Sequence, residues 1–253
     1  MFHTIQFLKQ LWTPEAIDTY SWYDASDTAS ITDSGGAVSQ WNDKSGTGNH
    51  LTPLSAGVEP TTNSRTRANL NVIDFDGTEY LRNNSITLPT SGNLSIFMTA
   101  GIDVIDNRFD SLWSMDAAAN DFQFASNDTT SDSRFLGAIT GINTVACSNG
   151  PYAGPSVYSN KFDYSGSTMS IWIDGTQDGS GNYYTKLNST MEWMVFANRA
   201  ENQRIDGFCA ELVLVEDCST ECQQKIEGYL AHKWWTAWRL PSDHPYKNTP
   251  PTA

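Results

Sequence analysis

The chain has 253 residues and a formal net charge of −14, from 15 Lys and Arg against 29 Asp and Glu. This length fits one or two domains, and all-β single domains often reach about 200–250 residues. Because the chain is acidic and has no basic run, we do not expect nucleic acid as a partner. No stretch approaches the roughly 20 apolar residues of a membrane span, so we expect no membrane insertion.

The N-terminus lacks the basic start, the long apolar run and the small-residue cleavage site of a signal peptide. We therefore expect the chain to be made in the cytoplasm. The four cysteines show no CxxC spacing and indicate free thiols in a reducing compartment. Cys218 and Cys222 lie four residues apart, where a bridge is expected to form only with distortion.

Alternation of apolar and polar residues with a period of two dominates the chain and is typical of strands with one buried face. The longest run covers 94–104. The other candidate strands are 21–23, 38–41, 70–75, 122–124, 135–139, 157–164, 169–173, 191–195 and 208–214. Clusters of Gly, Asn, Asp and Ser separate them. The pattern predicts an all-β fold, an antiparallel two-sheet sandwich or barrel, in one domain.

One segment has helical spacing instead, with its apolar residues at Cys222, Ile226, Tyr229, Leu230 and Trp234. Asp217 and Ser219 are both candidate N-caps. Pro241 and Pro245 stop any continuation of the helix. The sequence therefore predicts one amphipathic helix over about 219–235, followed by an extended tail over 240–253.

Three blocks of sequence carry a resemblance to a known family. They are WYDASD at 22–27 with VSQWNDKSG at 38–46; VIDFDG at 72–77 with YL at 80–81; and AELVL at 210–214 with KIEGYLAHKW at 225–234 and LPSDHPYK at 240–247. Together they resemble the laminin-G-like, concanavalin A-like lectin/glucanase domains of tailed-bacteriophage virion proteins and environmental bacteria. The resemblance implies a jelly roll over 12–251, with residues 1–11 as a short N-terminal extension.

Two positions depart from that family. Related domains often carry an acidic residue beside the residue that is Glu211 here, where it serves a calcium site, but this chain has Ala210. Related helices end in Trp-Gly, whereas Trp235 stands at the glycine position and Trp238 follows. We therefore expect the helix to end differently. The tryptophans near the tail either pack against the domain or form an exposed face for a partner.

Catalytic carboxylates are not evident in the sequence. A glucanase of this fold would place them on alternate residues of one strand, and Glu-x-Asp-x-Glu does not occur. Glu211 and Glu216 have an odd separation, which puts them on opposite faces. Glu211 is expected to cap a turn or to pair with a base near the helix. The sequence therefore predicts no enzymatic activity, no catalytic residue and no cofactor-binding residue.

Asp24, Asp27 and Asp43 are the candidate metal ligands. With the backbone carbonyls of the loop 45–49 they can form the oxygen-rich site that Ca²⁺ requires. The alternative is local, with the first two holding a turn and Asp43 accepting backbone N–H bonds. Candidate glycan-binding loops are 103–110, 117–132 and 140–155, and the sequence does not rank them.

The main functional hypothesis is a non-enzymatic virion surface module of a bacteriophage: a capsid decoration, tail fibre or receptor-binding structural protein. Its partners would be capsid or tail proteins, a host-surface glycan and further copies of itself, and it would be made in the host cytoplasm. The first alternative is a soluble carbohydrate-binding lectin. The second is a laminarinase-like glycoside hydrolase.

Overall fold

The computed structural model describes residues 11–89, 91–105, 110–116, 122–126, 135–139, 143–146, 154–182, 190–198, 200–201 and 203–253. These residues form two seven-stranded antiparallel sheets, two short hairpins, one α-helix and three short 3₁₀ turns. The antiparallel β-sandwich predicted from the sequence is confirmed. No helix among the described residues is long and apolar enough to cross a membrane.

The first sheet has the strand order β1-β18-β9-β14-β15-β16, and β7 also pairs with β18. Its strands are β1 (Ser21–Asp24), β7 (Ile73–Asp76), β9 (Asn93–Val104), β14 (Ser156–Asp163), β15 (Thr168–Ile173), β16 (Thr176–Asn182) and β18 (Asp206–Glu216). The longest predicted run, 94–104, is thus the central strand β9. The hairpins beside the sheets are β2 (Ile31–Ser34) with β3 (Ala37–Trp41), and β5 (Thr66–Arg67) with β6 (Leu70–Asn71).

The second sheet has the order β13-β12-β11-β10-β17-β8-β4. Its strands are β4 (Thr52–Pro53), β8 (Leu81–Thr87), β10 (Ser111–Asp116), β11 (Phe122–Ser126), β12 (Phe135–Ile139), β13 (Asn143–Ala146) and β17 (Thr190–Val195). The main core lies between the two sheets. Met98 and Leu212 of the first sheet belong to one buried cluster with Trp113 and Trp193 of the second.

A second core covers the outer face of the first sheet. The helix α1 (Thr220–Lys233) packs there, and Ile226 and Leu230 share a buried cluster with Phe97 and Val213. As a result β9 is buried on both faces along most of its length. The expectation of one buried face per strand is therefore wrong for β9, because alternation alone does not reveal a helix that covers the polar side.

The helix begins where the sequence predicts and ends within two residues of it. Ser219 is the N-cap, and its hydroxyl accepts a hydrogen bond from the backbone N–H of Cys222 at 3.1 Å. Gly228 faces the C-terminal tail, and a Cβ there would lie 2.5 Å from the Cβ of Tyr246. The absent side chain lets the tail pack directly on the helix.

Cys218 and Cys222 form a disulfide, with their Cα atoms 5.5 Å apart. The expectation of free thiols is therefore wrong for this pair. Cys218 precedes the N-cap, and Asp217 before it has a φ of +47°. The two cysteines consequently do not sit on one regular helical turn, which was the geometry assumed for their spacing. Cys209 is a buried free thiol, and Cys147 lies outside the described residues.

The two ends of the described chain meet. Leu11 forms a bridge with Thr252, and the backbone N–H of Trp12 donates to the carbonyl of Pro251 at 3.1 Å. The predicted extension 1–11 otherwise lies outside the described residues. A single domain over 12–251 stays a prediction.

Candidate functional site

A buried carboxylate connects the first sheet to the helix. Glu211 on β18 is fully buried and accepts hydrogen bonds from the indole Nε1 atoms of Trp22 and Trp234, each at 2.8 Å. The hydroxyl of Tyr229 donates at 2.9 Å and the ammonium of Lys233 at 2.7 Å. The expected pairing of Glu211 with a base near the helix is confirmed. A carboxylate enclosed by four donors holds the helix on the sheet and has no open side for a substrate.

A second carboxylate shares the same lysine. Asp24 lies 2.7 Å from the ammonium of Lys233 and 3.5 Å from that of Lys44. Burial raises the pKa of Glu211, although Lys233 opposes that rise. Burial also opposes ionisation of Asp24, but Lys233 and the other contacts hold its pKa below the ordinary value. The cluster therefore stabilises Asp24 as an anion.

Two of the three candidate calcium ligands are brought together by a lysine. The ammonium of Lys44 lies 2.6 Å from Asp27 and also contacts Asp24. Asp43 instead accepts from the backbone N–H groups of Trp22, Ser45 and Asn49. No group of three His, Cys, Asp or Glu side chains in the described part of the chain is arranged to hold a metal.

Calcium binding at these residues stays a prediction. The observed contacts match the alternative role for Asp24 and Asp43, whose carboxylates accept backbone N–H bonds from Ser26 and Ser45. The carboxylate of Asp27 pairs with Lys44.

A groove of about 380 Å³ lies beside this cluster. It is lined by Glu15, Ile17, Asp18, Thr19, Trp22, Lys44 and Ser45. The ammonium of Lys44 sits 4.3 Å from the centre of the Trp22 ring and so covers one face of it. The groove therefore offers hydroxyl and carboxylate groups, but its indole is already engaged by the protein.

The end of the helix carries an unusual tryptophan. The backbone N–H of Thr236 donates to the carbonyl of Ala231 at 2.8 Å, and that of Trp235 donates to His232 at 3.4 Å. This pair of bonds is the Schellman motif, whose C′ residue adopts the left-handed conformation and is usually glycine. Trp235 occupies that position with a φ of +59°. The expectation of a different helix end is therefore wrong, because the capping bonds form with a tryptophan in the glycine place.

Two indole rings stand in solvent immediately after the helix. Trp235 is 61% exposed and Trp238 is 69% exposed, whereas Trp234 is fully buried. Trp238 lies in the 3₁₀ turn Ala237–Arg239, and the guanidinium of Arg239 sits 4.7 Å from the centre of its ring. We call Trp235 and Trp238 the tryptophan platform. Two alternatives were open for the tryptophans near the tail. Trp234 packs against the domain, and the two residues of the platform form an exposed face.

A pair of carboxylates meets on the second sheet. Glu192 on β17 and Glu201 in the following loop both contact one terminal nitrogen of Arg82, at 2.9 and 3.2 Å. All three side chains are partly exposed. Sequence reasoning missed this group because its members come from two strands and a loop, and no spacing rule along one strand can find them.

Parts of the candidate glycan-binding loops are strands, because β11 lies within 117–132 and β13 within 140–155. In 103–110 the carboxylate of Asp103 pairs with Arg65. Residues 106–109, 117–121, 127–132, 140–142 and 147–153 lie outside the described residues.

No protein-family model and no curated protein matches the chain by sequence. Its structure is similar to domain 4 of AbnA, a GH43 extracellular arabinanase from Geobacillus stearothermophilus, in complex with arabinotriose. The TM-score is 0.61 at 10% identity, over 79% of this chain and 92% of that one.

Two further neighbours are longer proteins. One is a GH54 α-L-arabinofuranosidase, with a TM-score of 0.54 at 10% identity over 85% of this chain and 59% of that one. The other is a Trypanosoma rangeli sialidase in complex with sialic acid, with a TM-score of 0.54 at 9% identity over 82% and 33%. At these identities the similarity establishes the fold, a jelly-roll-like β-sandwich.

The predicted absence of enzymatic activity is contradicted by these neighbours, which include an arabinofuranosidase and a sialidase. The prediction depended on the missing alternation of carboxylates along one strand. Carboxylates can also come together without such alternation, as Glu192 of a strand and Glu201 of a loop do at Arg82.

Proposed function

We propose that this chain is a glycan-binding β-sandwich domain and that the tryptophan platform contacts the sugar. The observation that carries the proposal is the combination at Trp235 of a left-handed backbone and an exposed indole. The fold adds support, because the similar domain 4 of AbnA is in complex with arabinotriose.

The backbone of Trp235 has the left-handed conformation, which is unfavourable for a residue with a bulky side chain. For a non-glycine residue the left-handed region costs about 1–2 kcal/mol, and a bulky residue there is an outlier. Because 61% of the residue is exposed, packing within the domain recovers little of that energy. Strained residues cluster at sites that bind or switch. We therefore infer that the ring acts by contacting a ligand.

An exposed indole suits a sugar for a physical reason. A sugar ring has a face of C–H groups, and stacking it on an aromatic ring removes apolar surface of both partners from water. The indole N–H remains available to a hydroxyl. Three residues of chain keep the Cα atoms of Trp235 and Trp238 at most about 11 Å apart, which places both rings on neighbouring parts of the chain.

The test is a glycan array followed by calorimetric titration with arabinotriose or the best array ligand. W235A and W238A should each weaken binding about 3- to 10-fold, the range of an aromatic stacking contact. D18N removes a carboxylate of the groove and leaves the platform intact, so its affinity should equal that of the wild type. If D18N abolishes binding and both tryptophan variants keep it, the site is the groove and the assignment to the platform is wrong.

A second candidate function is glycoside hydrolysis at Glu192 and Glu201. A retaining glycosidase places its two carboxyl groups about 5–5.5 Å apart, and one Arg82 nitrogen contacts both carboxylates here. Release of reducing sugar from arabinan, lost in E192Q and in E201Q but kept in W235A, would support this function. Release that survives both substitutions would exclude this pair.

The virion role remains a proposal supported by the sequence resemblance alone, and so do capsid or tail partners and location in the virion. A glycan-binding domain on a particle would contact the host surface. Mass spectrometry of purified particles from the source of the gene tests this role, and absence of the protein from the particles would overturn it.

A further inference from the structure

Basic side chains border the tryptophan platform. Arg67 donates from Nε to the carbonyl of Trp234 at 3.4 Å. Lys247 donates from its ammonium to the carbonyls of Trp238 at 2.6 Å and Leu240 at 2.5 Å. Arg239 stacks on the Trp238 ring. We call Arg67, Arg239 and Lys247 the basic rim of the platform.

The charge of the basic rim is only partly neutralised. Arg239 faces the buried carboxylate of Asp174 at 3.7 Å. Arg67 and Lys247 donate to backbone carbonyls, and neither lies within 4 Å of a carboxylate among the described residues. Asp243 lies in the same tail segment and is exposed. The chain carries 29 acidic residues against 15 basic ones. Against that background Arg67 at the carbonyl of Trp234 and Lys247 at the carbonyl of Trp238 give this part of the surface a local positive charge.

We infer that the ligand of the tryptophan platform is a glycan that carries carboxylate groups, such as a polyuronate. This inference rests on the proposed function and names the class of sugar. A net charge of −14 does not exclude an anionic ligand, because binding responds to the local charge around the site as well as to the total.

The rim has donors left for such a ligand. A guanidinium carries five N–H donors in a planar fork that matches a carboxylate, and the contact to Trp234 uses Nε of Arg67. An ammonium has three donors, and two of those of Lys247 go to the carbonyls. A sugar ring stacked on an indole would therefore place a ring carboxylate beside a cation, where charge-assisted hydrogen bonds form.

The experiment compares tetragalacturonic acid with its fully methyl-esterified form, which has the same rings without the charge. Calorimetric titration of the wild type at low salt should give tighter binding of the acid, and added salt should weaken only the acid. R67Q and K247Q should each weaken the acid about 3- to 5-fold, the range of an exposed ion pair, and leave the ester unchanged.

K225Q is the matched control. It removes the same charge from the helix, where Lys225 pairs with Glu221, and should leave both affinities unchanged. Equal binding of acid and ester by the wild type would overturn the inference while glycan binding stands.

An acid affinity that falls equally in K225Q, or that W235A leaves intact, would also overturn the inference, since the acid would then bind elsewhere. Binding of no glycan at all, combined with a dimer in sedimentation that W235A dissociates, would overturn the proposed function itself and assign the platform to a second copy of the chain.

Discussion

At the scale of single residues, the buried carboxylate of Glu211 connects the first sheet to the helix. Glu211 is surrounded by donors from β1 and from the helix, and Trp22, 189 positions away in the chain, is one of them. The sequence predicted that Glu211 caps a turn or pairs with a base near the helix, and the second alternative is the one observed, with Lys233 as the base. It could not predict the two indole donors, since long-range pairing of side chains depends on how strands are ordered in the sheet.

Glu211→Gln should lower the free energy of unfolding by about 2–4 kcal/mol, because it leaves the lysine of a buried ion pair with one carboxylate fewer. Urea denaturation followed by tryptophan fluorescence measures this change. The control is Glu221→Gln in the same helix, where the carboxylate is 76% exposed and the change should stay within about 0.5 kcal/mol. Equal effects of the two substitutions would contradict the structural role of Glu211.

Asp174 makes stability depend on pH. Burial is the main cause that raises its pKa to about 6. The backbone N–H of Val157 and the positive charge of Arg239 oppose that rise. A raised pKa in the folded state means that the stabilisation is complete below the unfolded value near 4 and is lost as pH rises through 6. As the pH rises from 4 to 7, we expect this residue to lower the free energy of unfolding by on the order of 2–3 kcal/mol.

Asp174→Asn should remove this contribution. Unfolding curves at several pH values give the free energy of unfolding of the variant and of the wild type. A difference between the two that does not change with pH would contradict the role of Asp174.

At the scale of elements, the helix explains most differences between sequence pattern and structure. Its bounds follow from the N-cap Ser219 and the apolar spacing, both readable in the sequence. The sequence did not predict which part of the sandwich the helix packs against. The burial of β9 on both faces was therefore not predicted. The Schellman end at Trp235 was missed for a different reason: propensity argues against a tryptophan with positive φ, and the capping bonds override that propensity.

The disulfide at the start of the helix gives a prediction at this scale. In the chain-entropy account, closing a loop of five residues stabilises by about 2 kcal/mol. Cys222→Ser should therefore lower the free energy of unfolding by up to that amount, and a reducing agent should lower the wild type equally. The variant itself should not respond to the reducing agent, because it no longer has the disulfide between Cys218 and Cys222. A wild type that does not respond would show that Cys218 and Cys222 are thiols in solution.

At the scale of the whole molecule, alternation and turn residues predicted an antiparallel sandwich or barrel, the spacing of apolar residues predicted the helix, and the family resemblance implied the jelly roll. They could not predict the strand order, which brings Arg82, Glu192 and Glu201 together, nor the exposure of individual tryptophans. The net charge likewise describes the molecule as a whole and not the local surface at Arg67 and Lys247. Site prediction from the sequence was weakest where several segments meet, because no local pattern records that meeting.

We propose that Trp235 serves ligand binding at the expense of backbone stability, and a pair of substitutions tests this proposal. W235A and W235G both remove the ring, but only glycine relieves the left-handed strain. Parallel glycan titrations and unfolding curves should show the same 3- to 10-fold loss of affinity in both variants, with W235G about 1 kcal/mol more stable than W235A. Retention of wild-type glycan affinity by W235G would contradict the claim.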